Sequence, residues 1–197
     1  MALGFGILIP MQPLKALSPE PLPRRGERTL IRRLSTSDLA RFQAYRKDPE
    51  VGRYQGWSAL SSEKAQDFLA EMAAAPLFVP GEWVQLAIAE SRTNHLIGDI
   101  GVCVRADGER SAEIGFTLAP ESQGKGLATE AVHETIAMLF EFAGVDSVVG
   151  ITDIRNLPSI ELLKRVGMRL KETVDSTFRG EPCMEHVFEV RRKGGLE

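Results

Sequence analysis

Apolar side chains recur at every second position in three consecutive segments near the middle of the chain. The segments are 82–90, 95–105 and 111–118. Their alternating apolar positions are Val84, Leu86 and Ile88, then Leu96, Ile100, Val102 and Val104, then Ala112, Ile114, Phe116 and Leu118. A period of two places alternate side chains on one face of a β-strand. Since the turn-forming runs SRTN and ADGER separate the segments, the pattern predicts a β-meander in which each strand has one apolar face.

Helical patterns flank this meander on both sides. They cover 35–48, with a Ser or Asp N-cap, 61–75, about 127–143, and 156–167. The third pattern ends before Gly144, and the fourth begins at Asn156 with Pro158 in its first turn and ends at Gly167. Further strands are predicted at 29–34, 146–153, 168–174 and 182–190. The order β α α β β β α β α β β indicates an α/β (α+β) fold, a mixed sheet with helices on its faces.

The composition indicates one soluble globular domain. Of 197 residues, 43% are hydrophobic and 26% charged, and the net charge is −3. This balance does not favour a dedicated nucleic-acid binder, and no stretch of the apolar N-terminus is long enough to span a membrane. Cys103 and Cys183 lie far apart, which fits neither a zinc knuckle nor a disulfide framework and suits a reducing cytoplasm. We expect no metal.

The N-terminal segment is predicted to lie outside the domain. Residues 1–26 read as a flexible leader, residues 27–192 as the domain and residues 193–197 as a short tail. The apolar opening has no basic region ahead of it, so a signal peptide is the weaker interpretation. Either Met1 or Met11 is a possible native start.

A glycine-rich run, QGKGLAT, precedes the third helix and holds the strongest chemical signal. A nucleoside-triphosphate loop requires Ser or Thr after the lysine, but Gly126 follows Lys125. A dinucleotide loop requires a third glycine, and Thr129 stands at that position. The remaining interpretation is a helix N-terminus whose N–H groups bind the pyrophosphate of another cofactor, with an ordinary glycine-rich turn as the alternative.

The run from Gln123 to Ala128 fits the Q/R-x-x-G-x-G/A signature of the GNAT N-acetyltransferase family. Four more segments resemble its RimJ/RimL branch in the same order along the chain: LIRRLSTSDL, RYQGWSALSSEKAQDFL, LIGDIG and NLPSIELLKRVGM. The resemblance covers residues 27 to 192. It implies a mostly antiparallel sheet of about seven strands that splays apart between strands four and five, where acetyl-CoA binds.

The resemblance also implies where the cofactor lies. Backbone groups of Phe116, Thr117 and Leu118 would pair with the pantetheine arm, and Asn156 would reach the cofactor from the other side. N–H groups along the glycine run would hold the pyrophosphate. The cofactor-binding residues of this run are Gln123, Gly124, Lys125, Gly126, Leu127, Ala128 and Thr129. For Asn156 a plain helix cap is the alternative.

The implied reaction is direct transfer of the acetyl group to an amine, which needs a base and no protein nucleophile. Glu113 is the candidate base, because it lies on the strand face opposite Ile114 and among small residues. A solvated or salt-bridged glutamate is the alternative. Many GNAT enzymes use a tyrosine acid late in the chain, but the tyrosines here, Tyr45 and Tyr54, come early. Ser159 is the catalytic candidate near the thiol, unless no acid is needed.

The acceptor is expected to be a primary amine, either a protein N-terminus or a small molecule. Tyr54 and Trp57, in the loop from Val51 to Leu60, are substrate-binding candidates, with core packing as the alternative. We expect a cytoplasmic enzyme, monomeric or homodimeric, that acts on neither nucleic acid nor membrane. The competing hypothesis is a non-catalytic sensor that binds acyl-CoA with the same fold.

Overall fold

A twisted, open sheet of eight strands forms the centre of the protein. The computed structural model describes residues 20–193. The strands lie in the order β1-β2-β3-β4-β5-β6-β8-β7. Their bounds are β1 Arg24–Arg25, β2 Thr29–Arg33, β3 Trp83–Glu90, β4 Leu96–Val104, β5 Ser111–Leu118, β6 Ser147–Asp153, β7 Arg169–Phe178 and β8 Glu181–Arg191.

The predicted mixed sheet is confirmed, with one strand more than expected. The additional strand is β1, in which Arg24 pairs with Ile31 and Arg25 with Leu30 of β2. A strand of two residues carries no readable alternation, so the sequence pattern did not reveal it. These two residues fall inside the range expected to be a leader, while residues 1–19 and 194–197 lie outside the described part. The boundaries of the domain stay a prediction.

Four helices cover the two faces of the sheet. They are α1 Leu39–Arg46, α2 Ser62–Ala74, α3 Leu127–Phe142 and α4 Leu157–Arg165. Helices α1 and α2 lie on the face that carries Asp99, since Tyr45 of α1 bonds to that carboxylate. Helix α4 lies on the other face, where a Leu163 methyl group occupies the space beside Gly150. Because α3 and α4 contact each other, α3 shares that face.

Strand β4 is buried on both faces, although the alternation predicted one apolar face. All residues from Leu96 to Cys103 are buried, including the fully buried Asp99. Asp99 accepts hydrogen bonds from Tyr45, Arg46 and Gln85, so its charge is compensated inside the protein. The polar face of β4 is thus a buried hydrogen-bonded cluster beneath α1, and it fixes that helix on the sheet.

The sheet changes direction between β5 and β6, the one parallel pair within residues 20–193. Their register runs from Ser111 opposite Ser147 to Ile114 opposite Gly150 and then stops, although both strands continue. This is the splay that was predicted between strands four and five. The two strands are numbered β5 and β6 here because the additional strand β1 precedes them. The helices of the described chain include none that is both long and apolar enough to cross a membrane.

Candidate functional site

The edge of β5 is left without a neighbouring strand where β6 turns away. The N–H of Ala119 bonds to Ile97 of β4, so alternation turns the backbone groups of Phe116 and Leu118 toward the gap. Side-chain amides reach both carbonyl oxygens there: Gln55 Nε2 lies 3.2 Å from Phe116 O, and Gln123 Nε2 lies 2.9 Å from Leu118 O. A strand-like ligand could pair with this edge by taking the place of these side-chain amides.

A cavity of about 1200 Å³ opens at the gap. It brings together most of the residues selected from the sequence, which come from separate segments of the chain. Those lining it are Tyr54, Phe116, Thr117, Leu118, Gln123, Gly124, Gly126, Leu127, Ala128, Thr129, Asn156 and Ser159. Lys125, Glu113 and Trp57 do not line it.

Helix α3 begins at this cavity with its N-terminus uncapped. Gly126 occupies the N-cap position with φ of 76°, and no side chain caps the helix. Within residues 20–193, the N–H groups of Gly126, Leu127, Ala128 and Thr129 find no protein acceptor. These orphan donors add to the helix dipole, so the terminus is suited to bind an anion. The positive φ explains the glycine, because a residue with a Cβ is strained in that conformation.

Four arginines also line the cavity, and the sequence interpretation missed all of them. They are Arg28, Arg53, Arg155 and Arg165. Arg28 Nη1 donates to Lys125 O at 3.0 Å, and Arg165 Nη1 donates to Thr129 Oγ1 at 3.1 Å. Two guanidinium groups thus lie at the first turn of α3. Arg165 adds positive charge to that of the helix terminus, whereas the charge of Arg28 is partly balanced by Glu130, whose Oε2 lies 3.2 Å from Arg28 Nε.

Asn156 is a helix cap that also faces the cavity. Its Oδ1 accepts the Ser159 N–H at 3.4 Å at the start of α4, as the capping alternative predicted. Both residues line the cavity wall opposite α3. A cap uses only the oxygen of the amide, so the Asn156 Nδ2 group remains available to a ligand.

Glu113 lies half-buried on the sheet beside the cavity and not in its lining. Cys103 of β4 and Val149 of β6 are its neighbours across the strands. Burial raises the pKa of the carboxyl group, nearby Arg105 opposes that rise, and the charge of Glu185 adds to it. The space beside Gly115, the next position on the same face, is open. A carboxylate with a raised pKa beside open space suits a proton acceptor.

The two aromatic residues of the 51–60 loop have different surroundings. Tyr54 lines the cavity. Trp57 instead lies over the guanidinium of Arg46, whose Cζ is 4.5 Å from the centre of the Trp57 ring. Arg46 is itself paired with the buried Asp99 at 2.9 Å. Tyr54 is therefore the aromatic residue of the loop that faces the cavity, whereas Trp57 anchors the loop to Arg46.

Comparisons with known sequences identify the relatives of this chain. A family model described as "Acetyltransferase (GNAT) domain" matches residues 28–169. The uncharacterized N-acetyltransferase YoaA of Bacillus subtilis (strain 168) is 28% identical over 168 residues, which cover 83% of this chain and 93% of that protein. The uncharacterized N-acetyltransferase p20 of Bacillus licheniformis is 27% identical, over 73% of this chain and 80% of that protein.

Solved structures share the fold at low sequence identity. An acetyltransferase of the GNAT family from Bacillus anthracis superposes with a TM-score of 0.75 at 22% identity, over 85% of this chain and 97% of the other. A putative ribosomal-protein-serine acetyltransferase from Vibrio cholerae gives 0.71 at 20% identity, with 85% and 96% covered. The microcin C7 self-immunity acetyltransferase MccE, in complex with acetyl-CoA and AMP, gives 0.73 at 13% identity, with 85% and 94% covered.

Proposed function

The chain belongs to the GNAT family of acetyltransferases, and from this premise we propose that it transfers the acetyl group of acetyl-CoA directly to a primary amine. The proposal takes the enzyme to resemble the RimJ/RimL branch and to act in the cytoplasm. The observation that carries it is the uncapped N-terminus of α3, which opens into the cavity at the splayed strands.

The residues present fit acetyl-CoA at both ends of the cavity. N–H groups at the start of α3 would hold the pyrophosphate, with Arg28 and Arg165 adding charge beside it. The edge of β5 at Phe116 and Leu118 would pair with the amide-containing arm as another strand would. Gly126 keeps the loop surface free of a side chain at the point of closest approach.

Acetyl-CoA supplies an activated acyl group, and Glu113 would prepare the amine that receives it. A primary amine has a pKa of roughly 10 and is mostly charged at neutral pH. The Glu113 carboxylate, directly or through water, would attract the ammonium form and accept its proton. The rise in pKa that burial causes makes this carboxylate a stronger base than an exposed glutamate.

Ser159 would act at the thiol end of the reaction. It stands in the first turn of α4 and lines the cavity with Asn156, which supports a role for its hydroxyl group near the sulfur. A hydroxyl group can donate a hydrogen bond to the departing thiolate. Since a thiol has a pKa of about 8.5, this contact would assist departure without being indispensable.

Two amine classes fit the acceptor end. One protein of similar structure is described as a putative ribosomal-protein-serine acetyltransferase, which favours an N-terminal amine, whereas MccE serves self-immunity to microcin C7. We propose a protein N-terminus or a small-molecule amine. Measuring thiol release from acetyl-CoA with a panel of amines from both classes distinguishes the two. A protein that binds acetyl-CoA but acetylates no amine of the panel would be the non-catalytic sensor.

A charge placed in the first turn of α3 tests the cofactor site. Ala128 lines the cavity, and Ala128→Glu would set a carboxylate against the expected pyrophosphate while suiting the helix dipole. We expect acetyl-CoA affinity, measured by calorimetry, to fall by roughly tenfold or more. Ala128→Gln adds the same bulk without charge and should bind much better. Equal affinities in the two folded variants would overturn the assignment of the pyrophosphate to α3.

A further inference from the structure

The 51–60 loop has little backbone structure of its own. Within the described chain, its backbone–backbone hydrogen bonds are Gly52 N to Asp48 O, Arg53 N to Glu50 O, and Gln55 N to Gly52 O. None is donated by the stretch from 56 to 60. Yet the loop delivers Gln55 to the exposed edge of β5 with defined geometry. Contacts from outside the loop must therefore hold it in place.

One of those contacts comes from the turn between β7 and β8. The turn consists of Arg179 and Gly180, whose φ angles are 53° and 84°, as a tight two-residue hairpin requires. Arg179 Nη2 donates to the carbonyl oxygens of Gly52 at 3.2 Å, Gln55 at 3.2 Å and Trp57 at 3.3 Å. Three loop carbonyls thus share the two hydrogens of one nitrogen that is distant in sequence.

The second contact fastens the loop from beneath. Arg46 Cζ lies 4.5 Å from the centre of the Phe42 ring and 4.5 Å from the centre of the Trp57 ring. Asp99 binds the same guanidinium, so this anchor is rigid and buried. Arg179 lies closer to solvent and is the outer anchor. Between the two anchors stand Tyr54 and Gln55, two of the loop residues that line the cavity.

We propose that Arg179 is a positioning residue for the acceptor amine: it clasps the tip of the β7–β8 hairpin to the 51–60 loop and so fixes Tyr54 and Gln55. The inference rests on the proposed transfer to an amine. Without the guanidinium, three carbonyl groups turned toward one point lose their common donor, and the loop relaxes from its outer side. The start of α3 does not contact the clasp, so the pyrophosphate site is unaffected.

The test compares three variants of the full chain. Arg179→Ala removes the clasp, and Arg179→Lys keeps a cation whose three hydrogens can serve the three carbonyls. Arg169→Ala is the matched control, since Arg169 is an exposed arginine of β7 whose side chain makes no hydrogen bond or ion pair with the described residues. The probes are spermidine and a six-residue peptide with a free N-terminal serine.

For whichever probe is acetylated, Arg179→Ala should raise the acceptor KM roughly tenfold and the acetyl-CoA dissociation constant much less, because the start of α3 lies outside the clasp. Arg179→Lys should restore most of the loss, and Arg169→Ala should match the parent. An acceptor KM equal in Arg179→Ala and Arg169→Ala would overturn the proposal.

A second readout needs no turnover. The chain has two tryptophans, Trp57 and the exposed Trp83, so Trp83→Phe leaves Trp57 as the reporter of the loop. In that background Arg179→Ala should raise acrylamide quenching of Trp57, and Arg169→Ala should not. Unchanged quenching would refute the clasp even if acetylation proceeds. Failure of the parent to bind acetyl-CoA would instead refute the proposed function, while the quenching result still decides the clasp.

Discussion

At the scale of single residues, Glu113 is placed where its charge is costly. The carboxyl group is half-buried and, within the described chain, accepts no hydrogen bond and forms no ion pair. Its folded-state pKa is raised above the unfolded value, so its contribution favours folding at acidic pH and is lost as pH rises through the raised pKa. At neutral pH its ionisation therefore opposes folding, which a residue kept only for stability would not do.

Glu113→Gln should therefore lower activity and spare stability. If Glu113 is the base, turnover falls by roughly a hundredfold or more, while acetyl-CoA affinity barely moves. The rise of rate with pH should begin above the ordinary range of a glutamate in the parent and shift further upward in the variant. Thermal unfolding should show the variant at least as stable at neutral pH, with the difference shrinking in acid. Near-normal turnover with an unchanged pH profile would make Glu113 structural.

The candidate residues that the sequence indicated and that line the cavity belong mostly to local motifs. The glycine run and Asn156 could be recognised because the residues that begin a helix are adjacent in the sequence. Gln55 and Arg165 were not found, because each matters only through a partner that the fold supplies: Phe116 for the first and Thr129 for the second. No spacing rule reports a contact of that kind.

At the scale of elements, the start of α3 is tied to the start of β2. Glu130, in the first turn, accepts hydrogen bonds at 2.8 Å from the backbone N–H groups of Arg28 and Thr29 and from the Thr29 hydroxyl group. Burial opposes its ionised form, but these hydrogen bonds outweigh burial and lower its pKa. One carboxylate thus fixes the helix terminus that faces the cavity.

Glu130→Gln should weaken this tie. Because an amide oxygen is a poorer acceptor for these donors, we expect a loss of about 1–3 kcal/mol in the free energy of unfolding at neutral pH. The pKa of Glu130 is lower in the folded than in the unfolded state, so its carboxylate stabilises the fold when the pH is above the unfolded-state pKa. This stabilisation is lost as the pH falls through the folded-state pKa. The gap between variant and parent in denaturant unfolding should therefore close in acid. A gap that stays constant far into the acid range would contradict the role of the charge.

The helices and long strands were predictable because each shows several turns or alternations of one pattern. Strand β1 was not, since Arg24 and Arg25 pair through backbone alone. β4 has the apolar face that the alternation predicted, but its polar face is buried as well, which the pattern did not indicate. The alternation predicts that Asp99 faces solvent, but in the fold Tyr45 and Arg46 of α1 cover it. Periodicity alone does not predict a buried polar cluster.

At the scale of the whole molecule, the sheet consists of two parts joined by one short parallel register. The first five strands form one part and β6, β8 and β7 the other, and the register that connects them runs only from Ser111 to Ile114 on β5. The cavity lies where the connection ends. A ligand that touches β5, α3 and α4 would add contacts between the two parts.

Acetyl-CoA should therefore stabilise the folded protein as a whole. At a free concentration of about 100 times its dissociation constant, linkage predicts a gain of about 2.7 kcal/mol and a higher Tm. Hydrogen exchange should slow most at residues 115–118 of β5. With a tenfold weaker affinity, the Ala128→Glu variant should gain only about 1.4 kcal/mol at that concentration and show a correspondingly smaller rise in Tm. A Tm that does not change with acetyl-CoA in the parent would exclude binding to the native state.

The position of β8 in the sheet has a consequence for how the chain is made. β8 is the last strand of the described sequence but lies between β6 and β7, pairing with both. During synthesis the nascent chain can assemble the meander of β3, β4 and β5 early, but β6 and β7 have no shared neighbour until β8 has emerged. Arg179 stands just ahead of that strand, so the 51–60 loop cannot form the contact with Arg179 until all of β7 has been synthesised. A chain that stops before residue 181 would carry the cofactor motif but lack the strand that connects β6 to β7.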